Sequence, residues 1–283
     1  MDALIFHNDR IIPLSEARLS PGQMGLLMGW GVFTTLRVYD GKPFAFDRHW
    51  ARMCHDAQRL GMNLGRDQEE VREIVSRLAE SNHRPEAMAR VSFVKNCGGL
   101  WAQAGDRPET DLLIFTRQLV QWPEVHHLKL QQHALYSATR LAGVKMLSWA
   151  QNAALLEQAH AEGFDDVLLL NENGHIAECT SANFFLVRGN KVVTPPLCVG
   201  CLPGVTRDVL HEVVPQAGFE LREENLTPED LASADEVFIS STTREVAAVG
   251  SIDSQWRFNA PGKITATIEK CFKDYVRSHL QSR

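Results

Sequence analysis

Apolar positions fall into two rhythms along the 283-residue chain, and these rhythms predict its elements. Near the N-terminus they form short runs rich in β-branched residues, Ala3 to Phe6 and Val32 to Tyr39, which read as strands. The second run stops at the turn Asp40-Gly41-Lys42-Pro43. Helical spacing then takes over after Asp47, at Trp50, Met53, Cys54, Ala57 and Gly61. It recurs in a second helix from about Asp67 to Glu80, whose stripe is Val71, Ile74, Val75 and Leu78. Strands over Ala89 to Lys95 and Asp111 to Arg117 complete this region, and residues 118–123 read as a connector.

Beyond the connector the order is strand, helix, strand, hairpin, helix. A helix is expected over Met146 to Glu162, ended by Gly163, then a strand over Val167 to Leu170 and a turn at Asn171 to Gly174. Further strands are expected over His175 to Ala177, Asn183 to Val187, Lys191 to Val193 and Glu236 to Ser240. Val209, Leu210, Val213 and Val214 give another helix its apolar face, and Ile264, Ile268, Cys271, Phe272, Tyr275 and Val276 mark an amphipathic terminal helix. Hairpins interspersed with helices predict an α+β protein rather than a doubly wound parallel sheet. The expected domains are a small N-terminal one, 1–117, a linker, 118–123, and a larger C-terminal one, 124–283.

Composition narrows the function. Acidic residues outnumber basic ones 35 to 29, for a formal charge of −6, which argues against a nucleic-acid partner. No apolar run is long enough for a membrane span, and the start, Met1 to His7, lacks the basic and apolar segments of a signal peptide. Six cysteines are too sparse for a disulfide scaffold, so a cytoplasmic protein with reduced thiols is expected. The pair Cys198-Val-Gly-Cys201 lacks the further ligands of a zinc site, and its redox use defines a non-enzyme alternative. Lysine is scarce, at positions 42, 95, 129, 145, 191, 263, 270 and 273 alone, which leaves few candidates for a reactive amine.

Four features could carry chemistry. Leu202-Pro-Gly-Val-Thr-Arg207 enters a helix, so it offers free N–H groups, the positive end of the helix dipole and the Thr206 hydroxyl; its plain reading is a Thr N-cap. Ser240-Ser-Thr-Thr243 sets hydroxyls at a strand's carboxyl end, where ligands often bind; its plain reading is a solvated Ser/Thr turn. Lys145 stands among apolar residues, a setting that favours the neutral amine needed to attack a carbonyl, or a lysine snorkelling outward. Glu178 occupies a hairpin strand, either as an edge charge or as a partner for a buried cation.

In order, Gly143-Val-Lys145, Ile176-Ala-Glu-Cys-Thr-Ser-Ala-Asn183-Phe-Phe, Leu202-Pro-Gly-Val-Thr-Arg207 and Val237-Phe-Ile-Ser-Ser-Thr-Thr-Arg-Glu-Val246 resemble the fold-type IV pyridoxal-phosphate enzymes. These are the class IV aminotransferases: branched-chain aminotransferase, D-amino acid aminotransferase and 4-amino-4-deoxychorismate lyase. Gly29-Trp-Gly-Val-Phe-Thr-Thr-Leu-Arg-Val38 resembles the family's Gly-Asp-Gly-Val-Phe-Glu segment, and Asp47-Arg-His-Trp-Ala-Arg52 its Asp/Glu-His-x-x-Arg-Leu helix. The resemblance implies a two-domain fold-type IV architecture and a cofactor, pyridoxal 5′-phosphate, held by Lys145 as a Schiff base. Lys145 would also be the catalytic acid and base, and Glu178 would face the pyridine nitrogen. Arg52, Val205, Thr206 and Thr242 would bind the phosphate, although helical periodicity puts Arg52 off its helix's apolar stripe. Phe33 and Thr243 would meet the substrate.

Departures from the family pattern bear on the substrate. Trp30 replaces a common Asp, and Thr34 stands where the branched-chain and D-amino acid enzymes have Glu, as in some lyases. Lys95 to Trp101 matches none of the carboxylate-binding motifs, and no Arg is identified as the carboxylate grip. The resemblance thus implies a homodimeric aminotransferase passing the amino group of a small, branched-chain amino acid to a 2-oxo acid by a ping-pong mechanism. Its rivals are 4-amino-4-deoxychorismate lyase, which would give 4-aminobenzoate and pyruvate, and a D-amino acid aminotransferase.

Overall fold

The computed structural model describes residues 2–98 and 108–281, so Trp101 and its neighbours lie outside the described residues. The chain divides into two compact units, Met1–Val120 with Val144–Trp149, and Gln121–Gly143 with Ala150–Arg283. The segment carrying Lys145 therefore groups with the N-terminal unit, whereas its position in the chain suggested the C-terminal domain.

In the first unit, strands β1 (Leu4–His7), β2 (Arg10–Pro13), β3 (Gly31–Tyr39), β4 (Lys42–Pro43), β5 (Ala87–Lys95) and β6 (Thr110–Arg117) form a sheet in the order β2-β1-β6-β5-β3-β4. All its pairings are antiparallel. Alternation decides its faces. Val32, Leu36 and Val38 of β3, with Ala89, Val91 and Phe93 of β5, share one core with residues of helices α2 (Phe46–Arg59) and α3 (Gln68–Ser81). The α2 stripe supplies Phe46, Trp50, Met53 and Ala57, and α3 supplies Val71, Ile74, Val75 and Leu78. A five-residue helix, α1 (Met24–Met28), precedes β3.

Helix α4 runs Ala150–Ala161, shorter than the expected 146–162. Residues 145–147 do not join it because their backbone is committed to β3: Phe33 N–H donates to the Lys145 carbonyl (3.1 Å) and Leu147 N–H to the Gly31 carbonyl (2.9 Å). A bridge between Val32 and Met146 completes this short antiparallel contact. Close approach explains Gly31, since a Cβ there would lie 2.4 Å from Leu147 Cδ1 and 2.5 Å from the Phe93 carbonyl oxygen.

The second unit holds β7 (Val125–Leu135), β8 (Asp166–Asn171), β9 (Ile176–Cys179), β10 (Asn183–Arg188), β11 (Lys191–Thr194), β12 (Glu220–Glu223), β13 (Glu236–Ser241), β14 (Glu245–Ile252) and β15 (Trp256–Arg257). Their order is β12-β11-β10-β13-β14-β7-β8-β9, with β15 on β14. Strand β9 also pairs with β10 at Glu178 and Asn183, which closes six strands into a ring. Helices α5 (Val205–Gln216) and α6 (Lys263–Gln281) pack on each other, and both contact β13. Among the described residues no helix is long and apolar enough to cross a membrane.

Candidate active site

In the first unit, α2 turns a polar row toward β3. His49, Arg52 and Asp56 recur at helical spacing beside the apolar stripe, and His49 and Asp56 are each 1% exposed. Thr34 points to the same core face of β3 and is fully buried. Its Oγ1 accepts from Arg52 Nη2 (2.9 Å) and shares a hydrogen bond with His49 Nδ1 (2.7 Å). Burial, then the charges of Arg52 and Lys145, hold the His49 pKa well below its usual value. Arg52 thus has a buried anchor, although periodicity alone would suit a solvent-facing arginine.

The opposite face of β3 carries Phe33, and this ring organises two cations. Lys145 Nζ lies 4.7 Å from its centroid, and Arg90 Cζ, from the neighbouring β5, lies 3.6 Å from it. Phe33 pairs with Ser92, which makes Arg90 its diagonal neighbour on the same face. Arg90 has no carboxylate partner among the described residues, and burial pulls its pKa down to about 10. Sequence patterning passed over Arg90 because a lone Arg in an apolar strand looks like an edge charge. Trp30, by contrast, is a structural residue: its ring packs against the unit's core and its Nε1 donates to the Leu60 carbonyl (3.2 Å).

In the second unit, Glu178 is half-buried on β9, between the buried Ala177 and Cys179. Its Oε2 accepts from the Leu202 N–H (3.0 Å) and from Asn183 Nδ2 (3.4 Å), while Asn183 also donates to the Leu202 carbonyl (2.9 Å). Asn183 therefore ties the acid to the loop that leads into α5. The N-cap of α5 is Gly204, not Thr206, and no side chain caps it. The N–H groups of the first turn are left for another acceptor, with Val205 and Thr206 buried there. A Cβ at Gly204 would sit 1.9 Å from Asn183 Oδ1, so only glycine lets the helix start this close to β10. Arg207 is occupied elsewhere, on the Pro195 carbonyl (3.1 Å) and Glu223 (2.8 Å).

Thr242 and Thr243 form the turn between β13 and β14. The next residue, Arg244, is anchored on buried Asp166 (3.1 Å), Ser181 Oγ (2.8 Å) and His126 Nε2 (3.2 Å), with Cζ 3.9 Å from the Trp122 ring centroid. Asp166 in turn accepts from the Thr180 hydroxyl (2.5 Å) and the Ser181 hydroxyl (2.7 Å). The threonine turn and the Thr180-Ser181 turn beyond Glu178 are thus bound to one buried ion pair. Cys198 and Cys201 are free thiols, and burial pushes Cys201 up to about 12, far from a reactive thiolate.

Comparisons with known proteins give the family and the fold. Residues 31–252 match the model of the family described as amino-transferase class IV. A putative branched-chain-amino-acid aminotransferase of Methanocaldococcus jannaschii is 30% identical over 274 residues, covering 95% of each chain. A D-alanine aminotransferase of Bacillus licheniformis is 28% identical, covering 97% of each chain. An aminodeoxychorismate lyase of Bacillus subtilis is also 28% identical, covering 99% of this chain and 97% of its own. Among solved structures, the branched-chain amino acid aminotransferase of Escherichia coli superposes with a TM-score of 0.89 at 24% identity, over 98% of this chain and 95% of that one. That likeness bears on the fold, which is that of the fold-type IV aminotransferases. The chain belongs to the class IV aminotransferase family.

Proposed function

We propose that the protein is a pyridoxal-phosphate-dependent aminotransferase that takes the amino group from a small, branched-chain amino acid and passes it to a 2-oxo acid. The observation that carries this reading is the amine of Lys145, 4.7 Å from the Phe33 ring on a backbone fixed along β3. The residues fit the cofactor's chemistry. An uncapped helix start with a glycine that no Cβ could replace suits a phosphate, and a glutamate held by a backbone N–H suits a pyridine nitrogen. When bound, pyridoxal phosphate supplies a carbonyl for the amine and an electron sink for the substrate's Cα.

The chain's own groups do the rest. Lys145 takes the proton from the substrate Cα and returns it on the cofactor side. Glu178 keeps the ring nitrogen protonated. Arg52 and the first turn of α5 at Val205 and Thr206 hold the phosphate, with the Thr242 hydroxyl. Phe33 lines the side-chain pocket, Thr243 meets the carboxylate, and Arg90 is the cation for a carboxylate, which every amino acid and 2-oxo acid carries. The exposed Leu26, Leu27 and Met28 of α1 fit burial against a second copy, supporting a homodimer. Free cysteines throughout fit a cytoplasmic enzyme.

A second reading rests on Thr34. Its buried hydroxyl occupies the position where the aminotransferases carry a carboxylate, which favours 4-amino-4-deoxychorismate lyase chemistry. Incubation with 2-oxoglutarate and a panel of amino donors, beside aminodeoxychorismate, separates the two. Amino transfer from leucine, isoleucine or valine is expected, and it is lost in Lys145→Ala together with the borohydride-fixed pyridoxyl mark. Release of 4-aminobenzoate without any amino transfer would overturn the aminotransferase reading.

A further inference from the structure

The polar row on α2 contains one group for which the reaction above has no use. Asp56 is 1% exposed, on a helix face whose neighbours Met53 and Ala57 belong to the unit's core. A carboxylate there is unfavourable. Burial raises its pKa, opposed by the Lys145 N–H and by Arg52, His55 and Arg59. Its Oδ1 is buried with no hydrogen-bond partner among the described residues. An apolar side chain would serve the packing better, so the carboxylate must return something specific. Its Oδ2 accepts the backbone N–H of Lys145 at 3.1 Å.

The two peptide groups flanking the Lys145 Cα are therefore fixed by different elements. Its carbonyl accepts from Phe33 N–H on β3 (3.1 Å), and its N–H donates to Asp56 on α2 (3.1 Å). The β3 contact is short, with one bridge at Val32–Met146 and one further bond from Leu147 N–H to the Gly31 carbonyl. A strand contact of that length leaves the residue at its end free to rotate about φ, and φ sets the direction of the Cα–Cβ bond. The bond to Asp56 removes that freedom.

We propose that Asp56 is a positioning residue for Lys145: its buried carboxylate holds the lysine's backbone N–H and so aims the side chain along the Phe33 face of β3. The proposal rests on the reading of Lys145 as the residue that bonds the cofactor. It assigns Asp56 no contact with cofactor or substrate.

The test compares Asp56→Asn, which keeps an acceptor oxygen of the same size, with Asp56→Ala, which removes it. Each protein is reconstituted with pyridoxal phosphate. The rate of appearance of the cofactor's visible absorbance is followed, the borohydride-fixed mark on Lys145 is quantified by mass spectrometry, and kcat and KM are measured. In Asp56→Ala the attachment rate and kcat are expected to fall about 10- to 100-fold, the scale of a displacement near 1 Å, with KM changed less than about 3-fold. Asp56→Asn is expected to recover both to within about 3-fold of the parent protein. A purely structural role would lower the unfolding midpoint and leave the attachment rate unchanged well below it. Wild-type attachment in Asp56→Ala, or equal impairment in Asp56→Asn, would overturn the proposal. Should the alanine variant fail to fold, Asp56→Leu, close in size and compatible with the apolar stripe, takes its place with the same expected and overturning results. If the parent protein takes no mark at Lys145, the function proposed above fails instead, and that outcome is distinct.

Discussion

Among the arginines that lie over aromatic rings, Arg90 on Phe33 at 3.6 Å and Arg244 on Trp122 at 3.9 Å differ in one respect of their surroundings. Arg244, with a side chain 2% exposed, has a carboxylate at 3.1 Å in Asp166, itself fully buried. Arg90, less deeply buried, has none among the described residues, and its stack is shared with the Lys145 amine. A guanidinium withdrawn from water needs an anion or a dense set of acceptors. Where the chain supplies that anion, the arginine is part of the framework. Where no described carboxylate stands beside it, the arginine is free of that framework role, which fits the carboxylate-binding role proposed for Arg90. The second unit thus uses its buried charge to hold two turns in place.

The framework side of this contrast predicts the largest effect. Arg244→Met leaves Asp166 charged, fully buried and short of its cation, which should cost roughly 3–5 kcal/mol in urea unfolding at neutral pH. A loss below about 1 kcal/mol would put the pair on a level with a surface ion pair and remove the contrast with Arg90. His126 sharpens the same point through pH. Burial first, and then Arg244, push its pKa from 6.5 down to about 4. Between those values the unfolded chain takes up a proton that the folded protein refuses. Stability therefore falls as pH drops through that window, by at most roughly 3 kcal/mol. The difference between the parent protein and His126→Gln in unfolding free energy, followed from pH 7 to pH 4, should trace that loss.

The sequence made the fold class readable because most elements follow one period throughout, as Val71, Ile74, Val75 and Leu78 do in α3. It failed where local pattern and tertiary role part company. Strand β7 interleaves His126, His127, Lys129 and Gln131 with its apolar residues, and β14 is built from small residues such as Ala247, Ala248 and Gly250. Neither announces a strand, yet their parallel pairing helps close the second unit's ring. Residues 146 and 147 look helical because nothing local reveals that they lie along β3. Lys145, Glu178 and Thr206 were candidates because they fall in order within the motifs that resemble the family's, each being weak alone. Arg90, Asn183 and Asp56 were not, since their meaning lies in partners 57, 19 and 89 residues distant: Phe33 for Arg90, Leu202 for Asn183 and Lys145 for Asp56.

The receptor side of the contrast predicts a change in function with little change in stability. Replacing Arg90 by Met keeps bulk against Phe33 and removes the cation. KM for the 2-oxo acid should rise about 10- to 100-fold, the value of a charge-assisted hydrogen bond, with unfolding free energy changed by less than about 1 kcal/mol. Arg90→Lys should recover only part of the affinity, because an ammonium cannot offer the planar two-pronged contact. A large stability loss with unchanged KM would make Arg90 a second Arg244.

The smallest effect tests how the first unit keeps Arg52 in place. Thr34 accepts from Arg52 and shares a hydrogen bond with His49 Nδ1, so one hydroxyl holds both the arginine and the imidazole. Thr34→Val conserves shape and removes both bonds. His49 Nδ1 is then buried without that partner, and Arg52 loses its bond to Thr34, each worth about 1 kcal/mol. Stability should fall by about that amount, and the dissociation constant of pyridoxal phosphate should rise about 5-fold as Arg52 loses its orientation. Thr34→Ser keeps the hydroxyl and should restore both. The alternative is equally concrete: if the serine variant matches valine, the methyl group and not the hydroxyl is what position 34 supplies.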